Sequence, residues 1–185
     1  MLGHSFPTRR SSDLEVEVLI PDCKGDDESL AVVFDARPDV LNHNLETVAR
    51  LQRAVRPSAG YARSLSVLAR AKEAGLTTKS GLIVGMGETD DEVLGALADL
   101  RGVGVDIVTI GQYLRPTTHH LPVARWVEPA TFDAYAAAGH ALGIAHVESS
   151  PLTRSSYHAR QAAAGATTPA PATAAAPTPT LSATP

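Results

Sequence analysis

Between residues 15 and 162 the chain alternates short apolar runs with longer stretches whose apolar residues recur at helical spacing. Residues 16–20 read as an apolar strand closed by Pro21 and Asp22, and a polar turn with Gly25 follows. Helical spacing returns over 29–36 and stops before Pro38. A strand is expected over 40–44, then a helix capped by Thr47 that runs to Val55, before Pro57. Residues 61–74 place Leu65, Leu68 and Ala69 on one helical face, with Gly75 as the stop. Residues 82–84 lie in a strand that ends at the turn Gly85-Met86-Gly87. Thr89 is suited to cap the next helix, because Asp90, Asp91 and Glu92 favour the positive end of its dipole, and that helix reaches about Arg101. A continuously apolar strand over 106–114 has the character of a buried parallel strand. A helix over 128–142 stopped by Gly143, a strand over 144–147 and a last helix over 155–164 complete the pattern.

Strands separated by helices of this length imply crossovers and a parallel sheet, so the fold class is α/β. About five strands fit either half of a (β/α) barrel or a flat sheet covered on both faces, and pattern alone does not choose between them. From Ala163 onward the chain is an Ala/Thr/Pro run without charge or periodicity, expected to be a disordered tail. Residues 1–14 are polar and unpatterned, and the stretch from His4 to Leu14 back-translates to a common sequencing-library adapter. They are therefore expected to be a non-native leader, with a basic flexible leader using Arg9 and Arg10 as the alternative.

Composition narrows the function. Net charge is −4 with both signs interspersed, which disfavours a nucleic-acid partner. No apolar run has the length of a membrane span and the start lacks a secretory apolar core, so a cytoplasmic location is expected. The single cysteine, Cys23, excludes an intrachain disulfide and cannot by itself hold an iron–sulfur cluster.

Candidate chemistry falls where strands end, in four segments: NHNLET (42–47), TKSGLIVGMGET (78–89), GQYLRPTTHHLPV (111–123) and RSSYHA (154–159). Gly85 and Gly87 would let the backbone pass close to a ligand, and Glu88 would accept from a hydroxyl or amine; a plain strand-to-helix connection is the other reading. His119 and His120 are adjacent and on extended backbone point apart, so joint chelation of one metal is disfavoured. His43 is either a general base or a polar strand end. His158 near Ser155 lacks an Asp orienter or oxyanion signature for hydrolysis. Cys23 has Lys24 beside it, yet isolated cysteines are usually inert.

Taken together, VLIPD, NHNLET, TKSGLIVGMGET, DIVTIGQYLRPTTHHLPV and RSSYHA resemble the lipoyl synthase family in order and spacing, from about Val16 to Gln161. The resemblance implies the carboxy-terminal part of a partial (β/α) barrel of the radical S-adenosylmethionine (SAM) type, truncated at its amino end. It implies two [4Fe–4S] clusters in the parent enzyme, one that cleaves SAM reductively and one consumed as the sulfur source. The product would be a lipoyl group, made by inserting sulfur at C6 and C8 of a protein-bound octanoyl-lysine. Implied partners are an octanoylated lipoyl-carrier domain or a glycine cleavage H-type protein, and an electron donor.

By the same resemblance Gly85, Gly87 and Glu88 would face SAM, and Asn42, Asn44, Gln112, Tyr113 and Leu114 would shape that pocket. Ser156 would be a serine ligand of the sulfur-donating cluster, with Ser155 the alternative, and Arg154 would orient a cluster-bound or substrate carbonyl. A Ser-rich cap of the last helix is the structural reading of the same serines. The family's cysteine sets lie upstream of the matched region, Cys23 is not among them, and SSPLT before RSSYHA is a mild departure. This chain alone is thus expected to be inactive, with an apolar strand edge over 16–20 that invites aggregation. The rival readings are a Schiff-base aldolase-type barrel using Lys79, otherwise assigned a structural role with Ser80, and a non-catalytic half-barrel interaction module.

Overall fold

The computed structural model describes residues 14–155. Five strands, β1 (Glu17–Leu19), β2 (Val40–Asn42), β3 (Thr77–Val84), β4 (Ile107–Gln112) and β5 (His146–Ser149), pair in parallel and in sequence order. Helices α1 (Asp27–Asp35), α2 (Gln52–Val55), α3 (Tyr61–Glu73), α4 (Asp90–Gly102) and α5 (Pro129–Ala141) fill the connections.

The register shows why the sheet winds one way. Leu41, Leu82, Val84, Val108, Ile110 and Val147 fall on one face and are buried against Leu30 and Phe34 of α1, Leu68 of α3, Val93, Leu97 and Leu100 of α4, and Phe132 and Tyr135 of α5. The opposite face is mixed: it carries Glu17, Asn42, Lys79, Gly81, Thr109, His146 and Glu148, with Val40, Ile83 and Ile107 between them. A doubly wound sheet needs apolar residues on both faces and a strand order that reverses. Helices packed on one face, a face of mixed polarity opposite them and a strictly sequential strand order make the open wall of a partial barrel.

β3 spans Thr77–Val84, so residues 82–84 are its last residues before the turn and Lys79 and Ser80 lie near its amino end, as expected. Most elements fall where the pattern places them, and two differ. β5 is shifted to His146–Ser149 because His146 and Glu148 lie on the mixed face, while Ile144 is taken into the helical core. Thr47 does not cap a helix. Leu45 N donates to Ser80 Oγ, Glu46 N to the Gly81 carbonyl and Ile83 N to the Glu46 carbonyl, so the chain past β2 follows β3 inward. Thr47 is buried with its hydroxyl unpaired, and a 3-10 turn (Ala49–Leu51) starts after Val48 instead. Thr89 does cap α4, in a reciprocal box with Glu92. The last helix and the leader and tail segments lie outside the described residues, apart from Leu14 and Ser155 and the stretch between them.

Candidate functional site

A cavity of about 410 Å³ opens at the carboxyl ends of β2, β3 and β4. Its wall and floor include Asn44, Glu46, Gly81, Thr109, Gly111, Gln112, Tyr113, Leu114, Thr153, Arg154 and Ser155. Asn44, Gln112, Tyr113, Leu114, Arg154 and Ser155 were all singled out from the sequence. Glu46, Gly81, Thr109, Gly111 and Thr153 were not, although two glycines inside strands signal close backbone approach.

Both of those glycines are used. A Cβ on Gly81 would come within 2.8 Å of Asn44 Oδ1 and 3.1 Å of Thr109 Oγ1, so the bare floor is what lets these two polar groups converge. A Cβ on Gly111 would collide with the Thr153 carbonyl oxygen, so its absence seats the segment after β5 on β4 and brings Arg154 and Ser155 to the cavity. Arg154 donates from Nη1 to the Thr153 carbonyl. Asn44 donates from its amide to Glu46 Oε1 at 3.2 Å, which orients Asn44 Oδ1 away from Glu46. That Oδ1 is buried and has no partner, a cost a bound donor would relieve.

Gln112 is fully engaged. Its amide nitrogen donates to the carbonyls of Tyr113 and Arg125, and its oxygen accepts from Val127 N, so it shapes the wall and offers nothing to a ligand. Asn42 lies lower on the mixed face, where its amide donates to Glu17 Oε1 at 3.0 Å. Glu17 also pairs with Lys79 Nζ through both oxygens at 3.0 Å, and Lys79 is wholly buried. Neither Asn42 nor Lys79 lines the cavity.

Gly85, Gly87 and Glu88 are also outside the lining. Glu88 is 5% exposed and spends both carboxylate oxygens on the amides of Gly85 (2.5 Å) and Met86 (3.0 Å). The structure thus gives Glu88 the task of organising the turn that the two positive-φ glycines make. Ser156 lies outside the described residues.

His43 is wholly buried behind the wall, with Nδ1 2.9 Å from the Ile20 carbonyl, and therefore protonated at Nδ1, and with Nε2 unpaired. Burial pushes its pKa down from 6.5, the Ile20 carbonyl opposes that, Arg56 adds to it and Asp22 opposes it. A folded pKa below the unfolded one means that protonation favours unfolding. His43 therefore contributes stability that is complete above about pH 6.5 and is lost as pH falls through the folded value. Melting curves from about pH 7.5 down to pH 5 should show this loss, and His43→Gln should flatten it.

The chain belongs to the radical SAM superfamily: the model of the family described as "Radical SAM superfamily" matches residues 6–100, about half of the sequence. Within that class its similarity is to lipoyl synthases. It is 57% identical to the lipoyl synthase of Rubrobacter xylanophilus over 148 residues, which is 79% of this chain and 46% of that protein. The lipoyl synthase of Mycobacterium leprae is 58% identical over 78% of this chain and 46% of its own length, and that of Caldanaerobacter subterraneus is 49% identical over 83% and 55%. The chain spans about half the length of these curated relatives. A radical S-adenosylmethionine methyltransferase, TsrM from Kitasatospora setae with cobalamin and a [4Fe-4S] cluster bound, aligns with a TM-score of 0.47 at 16% identity, over 60% of this chain and 22% of that one.

Superfamily membership implies SAM and an iron–sulfur cluster, and the residues present fit these two unequally. The cavity suits an adenosyl group: it has a bare glycine floor, an unpaired buried acceptor and an arginine at its rim. The cluster does not fit. The chain has one cysteine, and among the described residues no three His, Cys, Asp or Glu side chains are grouped to hold a metal. Among the described residues, no helix is long and apolar enough to cross a membrane.

Proposed function

We propose that this chain is part of a lipoyl synthase whose cavity holds SAM, and that the complete enzyme inserts two sulfur atoms, at C6 and C8, into an octanoyl chain on a lysine of a carrier protein. The observation that carries the reading is the unpaired Asn44 Oδ1 over the Gly81 floor, in a chain 57% identical to a lipoyl synthase. In the complete enzyme, SAM reduced by one electron from the cluster would release methionine and supply a carbon radical for hydrogen abstraction. The residues here bind and orient. Asn44 accepts a hydrogen bond from the adenosyl group, Thr109 offers a hydroxyl beside it, Tyr113 and Leu114 wall it from water, and Arg154 presents a cation at the rim. The carrier is a lipoyl-carrier domain or a glycine cleavage H-type protein, and an electron donor is required. Ser156, or Ser155 at the cavity, is the proposed serine ligand of the sulfur-donating cluster. With one cysteine, this chain alone is proposed to assemble no cluster and to be inactive.

The rival readings have less support. Lys79 is paired with Glu17 and does not line the cavity, so a Schiff base there has no substrate space beside it. A bare interaction module leaves the glycine-floored polar cavity at the strand ends without a role. Calorimetric titration of the 185-residue chain with SAM should give saturable binding that Asn44→Ala weakens by about tenfold, the effect of one lost hydrogen bond to a desolvated partner. Binding unchanged in Asn44→Ala, or no binding by the unaltered chain, would overturn the assignment of this cavity.

A further inference from the structure

The segment from Tyr113 to Val127 leaves β4 at the cavity, runs over the turn after β3 and enters α5. Its far leg is fixed by contacts outside the cavity. Ala124 N and Arg125 N both donate to the Gly85 carbonyl, at 2.8 and 3.3 Å. The Arg125 carbonyl and Val127 N clasp the two ends of the Gln112 amide. A Cβ on Gly85 would fall on the Gln112 amide nitrogen and 2.6 Å from the Arg125 carbonyl oxygen, so the segment sits directly on Gly85. Its near leg is braced by Tyr113, whose hydroxyl donates to the Leu121 carbonyl, and by Arg115, which donates to the carbonyls of Thr118 and His120.

One side-chain cluster ties this strap to the helices. Arg125 Nη2 lies 2.5 Å from Asp90 Oδ1 and 3.1 Å from the Tyr135 hydroxyl, and that hydroxyl donates to the same Asp90 oxygen at 2.6 Å. Tyr135 is 2% exposed, packed edge-to-face on Phe132 in the core, and its phenol is the polar tip of an otherwise apolar contact. Asp90 is the first residue of α4, one position after the Thr89 cap. The Tyr135 hydroxyl and then Arg125 hold the Asp90 carboxyl below its ordinary range, and the Arg125 and Asp90 side chains are 41% and 54% exposed, so the buried Tyr135 is the anchor of the three. Three elements distant in sequence, the starts of α4 and of the α5 approach and the body of α5, thus meet at one guanidinium.

We propose that Arg125, locked by Asp90 and Tyr135, is a positioning residue: it sets the strap, the strap sets Gln112, Tyr113 and Leu114, and these set the wall that receives the adenosyl group. The proposal rests on the reading of the cavity given above. It assigns to Arg125, Asp90 and Tyr135 an effect on ligand affinity although none of them lines the cavity.

Trp126, the only tryptophan of the chain, adjoins Arg125 and is exposed, so its fluorescence reports on the strap directly. In the 185-residue chain, Arg125→Ala and Tyr135→Phe should lower the fluorescence anisotropy of Trp126 and accelerate hydrogen exchange at the Tyr113 amide, which donates to the Val84 carbonyl. Each should weaken SAM binding about tenfold, a usual size for coupling between separated groups. Arg125→Lys keeps the charge but not the planar fork and should fall between. Tyr135→Phe keeps the core ring, so its urea midpoint should stay close to that of the unaltered chain. The proposal is overturned if the strap loosens while SAM affinity stays the same, or if affinity falls only in proportion to global stability. If the unaltered chain binds no SAM, the reading of the cavity fails and the affinity claim with it; protection of the Tyr113 amide then still decides whether Arg125 fixes the wall.

Discussion

Gly85→Ala is expected to cost about 3 to 4 kcal/mol of stability, whereas Gly87→Ala, two residues away, should cost about 1 to 2. Both glycines have φ in the left-handed range, +104° and +112°, so both substitutions carry the backbone penalty. They differ in what the new methyl meets. At Gly87 the nearest atom is Ala124 Cβ at 3.8 Å, an ordinary contact. At Gly85 it meets Gln112 Nε2 and the Arg125 carbonyl, a side chain clasped at both ends and a backbone atom that cannot rotate aside. Urea unfolding of the two variants separates the effects, because the excess loss at Gly85 measures how firmly the strap is seated. Equal losses at the two positions would show that the strap yields freely.

A second large effect is expected at the amino-terminal edge. Glu17→Gln leaves the Lys79 ammonium, wholly buried, without its countercharge, and breaking such a pair from one side costs about 3 kcal/mol. Lys79→Met removes the charge that needs solvation and should cost less. The double variant should recover most of the loss, since the glutamine oxygen can still accept from Asn42. Urea unfolding at neutral pH measures the cycle, and a loss of less than about 1 kcal/mol in Glu17→Gln would show that water reaches Lys79.

The elements could be read wherever one face was apolar and one exposed. Thr89 with Glu92 announced α4, and the spacing of Leu65 and Leu68 announced α3, because local chemistry decides a helix start and an amphipathic face. β5 lies two residues later than the apolar run suggests, because its inner face carries His146 and Glu148 while Ile144 belongs to the helical core. The choice of a barrel wall over a doubly wound sheet depended on strand order, which no local pattern encodes. The motifs fall at the strand ends where the cavity opens, but they do not give the direction of each side chain. Asn44 and Arg154 reach the cavity, while Glu88 turns back onto its own loop amides. The contact of Asp90 with Arg125 and Tyr135 spans 35 and 45 residues, a separation at which sequence patterning carries no signal.

The core is lopsided. The main cluster gathers β3, β4 and β5 against α4 and α5, whereas Leu30, Phe34, Leu41, Val67, Ala71 and Leu76 form a second, smaller one under α1. Among the described residues, less apolar area secures β1 and α1 than the other elements, so they are expected to open at lower energy than the main cluster. Transient excursions of this molecule should begin by peeling at β1, leaving the cavity wall intact while the first strand and helix come and go.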